Sequence, residues 1–252
     1  MNQETNKINV INTRTNGVNH MLTQQLRKNG ISVKEFPLID IKSVEVSAKI
    51  SLDKLDIIIF ISQNAVEHFF KQFSISNLPE SCVTVAIGAA SAKAFWDITG
   101  KEIDVFPQKQ FDSEHLLLHP LFNKIKGKHI LIVRGVGGRE YLYQALIAKG
   151  ALVNYCEVYE RHLPKYTSNQ INQLFIEDYR NILLIFSSES LFNLLQLFGE
   201  QMKDCLLSKQ LIVIHEKIKQ KALSLGFCGI IEVIPTNAPN ELVNYLNQFD
   251  HD

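Results

Sequence analysis

The sequence lacks the features that identify membrane, secreted and metal-binding proteins. No apolar run approaches the roughly 20 residues that a membrane-spanning helix needs, and the polar N-terminal stretch contains no hydrophobic signal core. The four cysteines form no C-x-x-C pair, and the eight histidines show no metal-ligand spacing. We therefore expect a soluble cytoplasmic protein with reduced thiols, no metal and no membrane contact.

The chain also lacks net charge. Lys and Arg together number 26, as do Asp and Glu, so the formal charge at pH 7 is zero. Without a global positive field, nucleic acid and anionic membranes are not expected partners. Local donors must therefore hold any anionic ligand. The length of 252 residues and the hydrophobic fraction of 46% favour two globular domains of ordinary size.

The most informative stretch that is present runs from residue 128 to residue 161. Residues 130–133 predict a buried strand, and the apolar spacing after residue 140 predicts a helix that Gly150 ends. The turn between them reads Arg134-Gly135-Val136-Gly137-Gly138-Arg139-Glu140. Exposed N–H groups beside a helix N-terminus, bracketed by two arginines, predict an anion site. The alternative is that the glycines only make a tight strand-to-helix connection, and neither the dinucleotide nor the P-loop pattern is present.

This strand-turn-helix-strand unit occurs twice. At one constant offset, Arg14, Gly17, Leu22, Leu26, Gly30 and Val33 match Arg134, Gly137, Leu142, Leu146, Gly150 and Val153. Two more units also recur: the strands at 56–61 and 181–186, each followed by serine, and the segments 84–106 and 211–234. Strands that alternate with helices in two copies predict two similar α/β domains, each a parallel sheet flanked by helices.

Polar or small residues follow the predicted strands. In parallel α/β sheets, ligands gather at the carboxyl ends of the strands. The residues at these ends are Arg14, Ser62, Gly88, Arg134, Ser187 and His215. We expect the ligand site between the two domains. The alternative for each serine is a purely structural helix cap, although capping and ligand contact are compatible.

The order of these pieces resembles the uroporphyrinogen-III synthase family over nearly the whole chain. The matching segments are residues 12–14, 37–39, 60–66, 86–92, 133–140 and 157–161. Their more specific markers are the Arg-Gly-x-Gly-Gly-Arg-Glu turn and the Val-Tyr-x-Arg segment at 158–161. The resemblance implies a cofactor-independent lyase that closes hydroxymethylbilane, a linear tetrapyrrole with eight carboxylates, to uroporphyrinogen III. Ring D is inverted and water is lost.

The resemblance also implies site residues. Tyr159 matches the family tyrosine considered as the acid that assists hydroxyl departure, and the alternative is an aromatic that only packs. The expected substrate contacts are Arg14, Ser62, Asn64, Gly88, Ser91, Arg134, Gly137, Gly138, Arg139, Ser187 and Ser188. Ser91 keeps a hydroxyl where many relatives carry threonine. The loop from His215 to Lys219 departs from the family pattern, so no role is carried onto it.

The family fold makes one domain discontinuous, whereas the repeat alone suggests a cut at residues 123–127. Following the family, we expect one domain from residues 1–35 and 166–252, an inserted domain at 42–157, and extended linker strands at 36–41 and 158–165. The expected protein is a monomer whose partners are the linear tetrapyrrole and the upstream enzyme that produces hydroxymethylbilane. The alternative function is a two-domain cytoplasmic small-molecule binding or sensor protein without catalysis.

Overall fold

A computed structural model describes residues 7–15, 19–46, 50–107, 112–236 and 238–248. The strands are β1 Ile8–Asn12, β2 Ser32–Glu35, β3 Asp40–Ser43, β4 Ile57–Phe60, β5 Val83–Ala86, β6 His129–Gly135, β7 Leu152–His162, β8 Arg180–Ile185, β9 Gln210–Val213 and β10 Ile231–Val233. The α-helices are α1 Asn19–Lys28, α2 Gln63–Phe70, α3 Ala89–Thr99, α4 Ser113–Leu116, α5 Tyr141–Ala148, α6 Ser168–Asn172, α7 Ser188–Phe198, α8 Lys203–Leu207, α9 Glu216–Ser224 and α10 Pro239–Asn247. Short 3-10 helices occupy Ile75–Asn77, Pro120–Asn123 and Glu200–Met202. Gly17, a member of the predicted repeat, lies outside the described residues.

The chain divides into two compact units, of which unit 1 comprises Met1–Asp40 with His162–Asp252 and unit 2 comprises Ile41–Arg161. The five-stranded sheet of unit 1 has the order β10-β9-β8-β1-β2, and that of unit 2 has the order β3-β7-β6-β4-β5. β1 runs parallel to both of its neighbours, and so does β6. The predicted class, two α/β units with parallel sheets flanked by helices, is confirmed.

The central strand β8 of unit 1 is buried on both faces of the sheet because its residues 182–185 are all apolar. Side chains alternate between the two faces of a strand. Accordingly, Leu183 and Ile185 of β8 lie in one apolar cluster with α7 and α9, whereas Ile182 and Leu184 lie in a second cluster with α1 and α10. The two helix layers follow directly from this alternation.

Unit 2 repeats the arrangement. Ile58 and Phe60 of β4 pack with α2 and α3, and Ile57 and Ile59 pack with α4 and α5. Phe60 is fully buried, and its ring contacts Phe69 edge-on at a centroid distance of 5.5 Å. Because all four residues of β4 are buried, the chain first becomes accessible to solvent after the carboxyl end of this strand, at Ile61 and Ser62.

One element is shorter than predicted. The recurring segment 84–106 was expected to end in an extended stretch at 103–106, but this stretch forms only a single bridge, between Val105 and Val85. The Asp104 carboxylate accepts hydrogen bonds from both the Thr84 backbone N–H and the Thr84 hydroxyl, each at 2.7 Å. The Asp104 side chain thereby bonds the Thr84 N–H, which a longer strand pairing would use. β7 is a single unbroken strand from Leu152 to His162.

Within the ranges given above, no helix has both the length and the apolar character needed to cross a membrane.

Candidate functional site

The carboxyl edge of the unit 2 sheet brings together residues that are distant in sequence. Phe60 of β4 is in register with Ala86 of β5 on one side and with Val133 of β6 on the other. Since the three strands are parallel, the residues that follow them lie at the same edge. Ser62, Gly88 and the glycine-rich turn are therefore neighbours at one end of the sheet.

Ser62 combines a capping role with a contact to Tyr159. Its backbone is extended, and its hydroxyl accepts a hydrogen bond of 3.1 Å from the Ala65 N–H in the first turn of α2. The same hydroxyl oxygen lies 3.1 Å from the Tyr159 hydroxyl. A serine hydroxyl has one proton and two lone pairs, so it can accept from the backbone and still bond a phenol.

The other predicted contacts of unit 2 at α2 and α3 lie in the first turns of these helices. Asn64 is half-buried in α2, and Ser91 is buried in α3. Gly88 is the N-cap of α3 with an extended backbone at φ −166°, and it has no side chain to cap the helix. Of these three residues, Asn64 is the more accessible side chain, because Ser91 has only 4% of its surface exposed.

Tyr159 is buried, with only 3% of its surface exposed. Its ring lies 5.6 Å from the His68 ring, measured between centroids, and its hydroxyl reaches Ser62. The His68 Nδ1 is 2.8 Å from the Ser43 hydroxyl, and burial lowers the pKa of His68, which favours the neutral ring. Tyr159 therefore stands between a capping serine and an uncharged imidazole.

Arg134 is buried and has partners within the chain. Its Nε donates to the Glu157 Oε1 at 3.2 Å, and its Nη1 donates to the Glu140 Oε1 at 3.1 Å. The guanidinium carbon also lies 3.8 Å from the centroid of the Tyr155 ring. A cation that is removed from water requires such pairing. The geometry favours a supporting role for Arg134 over the direct ligand contact that the sequence suggested.

The glycine-rich turn, predicted to bind an anion, binds the Glu157 carboxylate of the chain itself. Gly137 and Gly138 adopt positive φ values of 75° and 107°, a conformation that glycine tolerates best. The Gly137 N–H donates to the Glu157 Oε1 at 3.2 Å, so the oxygen that bonds Arg134 also occupies the turn. Gly138 and Arg139 are exposed. Val136, Gly137 and Glu140 of the turn are exposed as well.

Tyr155 completes the charged cluster around Arg134. Its hydroxyl donates to the Glu140 Oε2 at 2.7 Å, and this bond, with the Arg134 guanidinium, lowers the pKa of Glu140. Burial, together with the Glu140 carboxylate, raises the pKa of Tyr155. Both shifts keep Glu140 ionised and Tyr155 protonated, which are the forms that the hydrogen bond requires.

In unit 1, Arg14 is held beside the start of α7. The Asn12 Oδ1 accepts from the Arg14 N–H at 3.2 Å and bends the chain after β1. Because Asn12 is in register with Leu184, Arg14 comes level with Phe186, and its guanidinium lies 4.6 Å from the centroid of that ring. Arg14 is half-buried. Burial removes water from around its guanidinium, and this loss of hydration lowers the pKa of the group.

Ser187 and Ser188 lie at the same edge of unit 1. The Ser187 hydroxyl caps α7 by accepting from the Ser190 N–H at 3.1 Å, and it is 2.9 Å from the Ser190 hydroxyl. Ser188 is the first residue of α7 and is half-buried. His215 caps α9 without a side-chain bond. Arg14 and the two serines thus form a polar group at the carboxyl ends of β1 and β8.

Sequence reasoning missed the supporting residues. Glu157 and Tyr155 surround Arg134, Phe186 lies under Arg14, and His68 contacts Tyr159. The sequence contained a signal for one of these contacts. Glu157 and Tyr155 are two residues apart on β7, so their side chains lie on the same face of the strand that pairs with the strand of Arg134. The other two contacts join residues that have no sequence relation to each other.

The comparisons with known proteins agree on one family. The family described as "Uroporphyrinogen-III synthase HemD" matches residues 20–239. The uroporphyrinogen-III synthase of Salmonella typhimurium is 30% identical and that of Escherichia coli strain K12 is 29% identical, each covering 93% of this chain and 97% of the relative.

Solved structures show the same fold. A uroporphyrinogen-III synthetase from Helicobacter pylori has a TM-score of 0.63 at 17% identity and covers 95% of this chain and 99% of its own. A mutant uroporphyrinogen III synthase from Thermus thermophilus has a TM-score of 0.62 at 14% identity and covers 96% of this chain and 98% of its own. At these identities the similarity concerns the fold alone.

The pairing of Glu157 with the turn leads to a test that needs no ligand. Glu157→Leu removes the acceptor of the Gly137 N–H, so we expect hydrogen exchange at that amide to accelerate about tenfold, a modest effect for a charged acceptor that is partly exposed. NMR-detected exchange measures it, with the exposed Glu80→Leu as the control. Equal rates at Gly137 in the wild type and Glu157→Leu would show that the carboxylate does not hold the turn.

Proposed function

The chain belongs to the uroporphyrinogen-III synthase family, and we propose that it cyclises hydroxymethylbilane to uroporphyrinogen III with inversion of ring D and loss of water. The observation that carries this proposal is the family match over residues 20–239, supported by relatives that cover nearly the whole chain. This activity makes the protein a lyase of tetrapyrrole biosynthesis.

The reaction requires a proton for the leaving hydroxyl, and we assign its donation to Tyr159. In the proposed step the C–O bond breaks, the phenol proton passes to the departing oxygen, and water leaves. The phenolate accepts a hydrogen bond from the Ser62 hydroxyl, which is 3.1 Å away. The proton that ring closure releases then restores the phenol. The step consumes no cofactor, and its charges balance.

The substrate is a polyanion whereas the chain is neutral, so binding depends on local donors. In unit 1 we assign substrate carboxylates to Arg14, which is half-buried and lacks a carboxylate partner in its described contacts, with Ser187 and Ser188 beside it. In unit 2 the exposed Gly138 and Arg139 are the corresponding donors. Arg134 supports this turn from inside through Glu157.

The remaining polar residues of unit 2 are assigned to the same polyanion. Asn64 and Ser91 belong to the first turns of α2 and α3, and Gly88 precedes α3 without a side chain. Backbone N–H groups at such helix starts favour anions. Together with Ser62 they would orient the substrate next to Tyr159.

We further propose that the protein acts as a monomer on the linear tetrapyrrole that an upstream enzyme releases. Each unit buries two apolar clusters of its own, on the two faces of its sheet. This supports folding without a partner chain.

The activity itself is tested by supplying hydroxymethylbilane from the enzyme that produces it and separating the oxidised porphyrin isomers. Since unassisted closure gives the uninverted isomer, we expect the inverted isomer to dominate only when this protein is present. If the protein binds the substrate at saturation and the uninverted isomer still dominates, the chain is a binding protein and the proposal is wrong.

Tyr159→Phe tests the proton donor. The ring and its packing remain, so we expect an intact fold, a similar KM and a kcat lower by roughly 10²- to 10⁴-fold, the usual contribution of a general acid. Tyr166→Phe is the matched control, since it removes one hydroxyl bond of 2.8 Å to the Pro37 carbonyl in unit 1. Near-native turnover of a folded Tyr159→Phe would eliminate the acid role.

Arg14→Gln tests the carboxylate contact in unit 1. Loss of a poorly hydrated cation should raise KM about tenfold or more with a smaller change in kcat, because a charge-assisted hydrogen bond contributes about 1.5–3 kcal/mol. Initial rates over a substrate series measure both constants. The exposed Arg27→Gln in α1 removes the same charge from the same unit and serves as the control. Equal KM values for the two variants would contradict the assignment.

A further inference from the structure

We propose that Gly135 is a positioning residue for Tyr159: the missing side chain at Gly135 lets the Tyr159 ring pack against its Cα, and this packing directs the hydroxyl to Ser62. The inference rests on the proposed role of Tyr159 in hydroxyl departure. It assigns a function to a glycine that the sequence presents only as part of the turn.

The requirement for glycine at position 135 is steric. A Cβ placed there would lie 2.6 Å from the Cε2, 2.7 Å from the Cζ and 3.1 Å from the hydroxyl oxygen of Tyr159. Carbon atoms that are not bonded prefer separations of about 3.5–4.0 Å. Gly135 does not have the positive φ of Gly137 and Gly138, so backbone conformation does not explain it. Any larger residue must displace the ring.

The pairing of β6 with β7 brings the ring to this position. Arg134 is in register with Glu157, but Gly135 is in register with Tyr159, so the register skips Val158. The Val136 N–H donates to the Tyr159 carbonyl at 2.8 Å and fixes the shifted pairing. Such irregularities re-aim side chains. Here two successive residues, Val158 and Tyr159, pack into the same apolar cluster, which the regular alternation of side chains along a strand would not allow.

The surroundings leave the ring little freedom. His68 lies on one side with a centroid distance of 5.6 Å, and Ser62 holds the hydroxyl. With 3% of the residue exposed, the ring cannot turn into solvent without breaking these contacts. A methyl group at position 135 would therefore move the hydroxyl away from Ser62 while the backbone pairing persists.

The displacement is measured directly by ¹⁹F NMR with 3-fluorotyrosine. The chain has seven tyrosines, and the signal of Tyr159 is the one that Tyr159→Phe removes. In Gly135→Ala we expect this signal to shift, while those of Tyr166 and Tyr245 in unit 1 stay in place. Gly100→Ala is the control, because a Cβ there meets open space and its φ of +67° imposes strain without any contact to Tyr159. An unshifted Tyr159 signal in Gly135→Ala overturns the proposal.

The kinetic test separates positioning from general destabilisation. Gly135→Ala should lower kcat about 10²-fold, since a misplacement of about 1 Å has effects of that size, and should change KM less. Gly100→Ala should leave both constants near wild type. Because Gly135 acts through the hydroxyl, adding Gly135→Ala to Tyr159→Phe should lower kcat by no more than about twofold further. If the kcat loss of the double variant equals the product of the losses of the two single variants, the proposal is overturned.

Two results distinguish a failure of the Gly135 proposal from a failure of the proposed acid role of Tyr159. Near-native turnover of Tyr159→Phe removes the acid role, and the ¹⁹F shift then decides the Gly135 contact by itself. If Gly135→Ala does not fold, the double variant with Tyr159→Leu removes the ring that the methyl group meets. Recovery of folding in the double variant supports the contact, and failure to recover overturns it.

Discussion

The register shift between β6 and β7 is the constraint on which the site of unit 2 depends. By skipping Val158, the pairing places two successive side chains in the same apolar cluster and lets the Tyr159 hydroxyl reach Ser62 at the carboxyl edge of the sheet. The glycine-rich turn begins at the same point, so one irregularity sets both the tyrosine and the start of the turn. Gly135 makes this possible because it has no atoms where the ring must lie.

The same two strands also decide how charge is distributed in the turn. Glu157 of β7 pairs with Arg134 of β6 and, with the same oxygen, accepts from the Gly137 N–H. A buried cation without such a partner would cost several kcal/mol. The two arginines of the repeat therefore differ in their contacts: Arg134 pairs with Glu157 and Glu140, whereas Arg14 lies against the ring of Phe186.

Much of the fold could be predicted from local pattern. The apolar runs at 57–60 and 182–185 correspond to β4 and β8, and the serines after them cap α2 and α7. Capping depends on residues three positions apart, so sequence spacing is enough to find it. The ends of the elements were less predictable. The segment at 103–106 forms a single bridge instead of a ladder, and the Thr84 N–H bonds the Asp104 side chain instead of a backbone carbonyl.

The sequence by itself determined the α/β class, the internal repeat, the position of the glycine-rich turn and the group of polar residues after the strands, because each follows from periodicity and local backbone chemistry. The partners of those residues were decided only by the tertiary structure. Ser62 and Tyr159 are 97 positions apart, and Arg134 and Glu157 are 23 apart. Such contacts depend on strand order and register, and shifting a register by one residue turns every side chain to the other face.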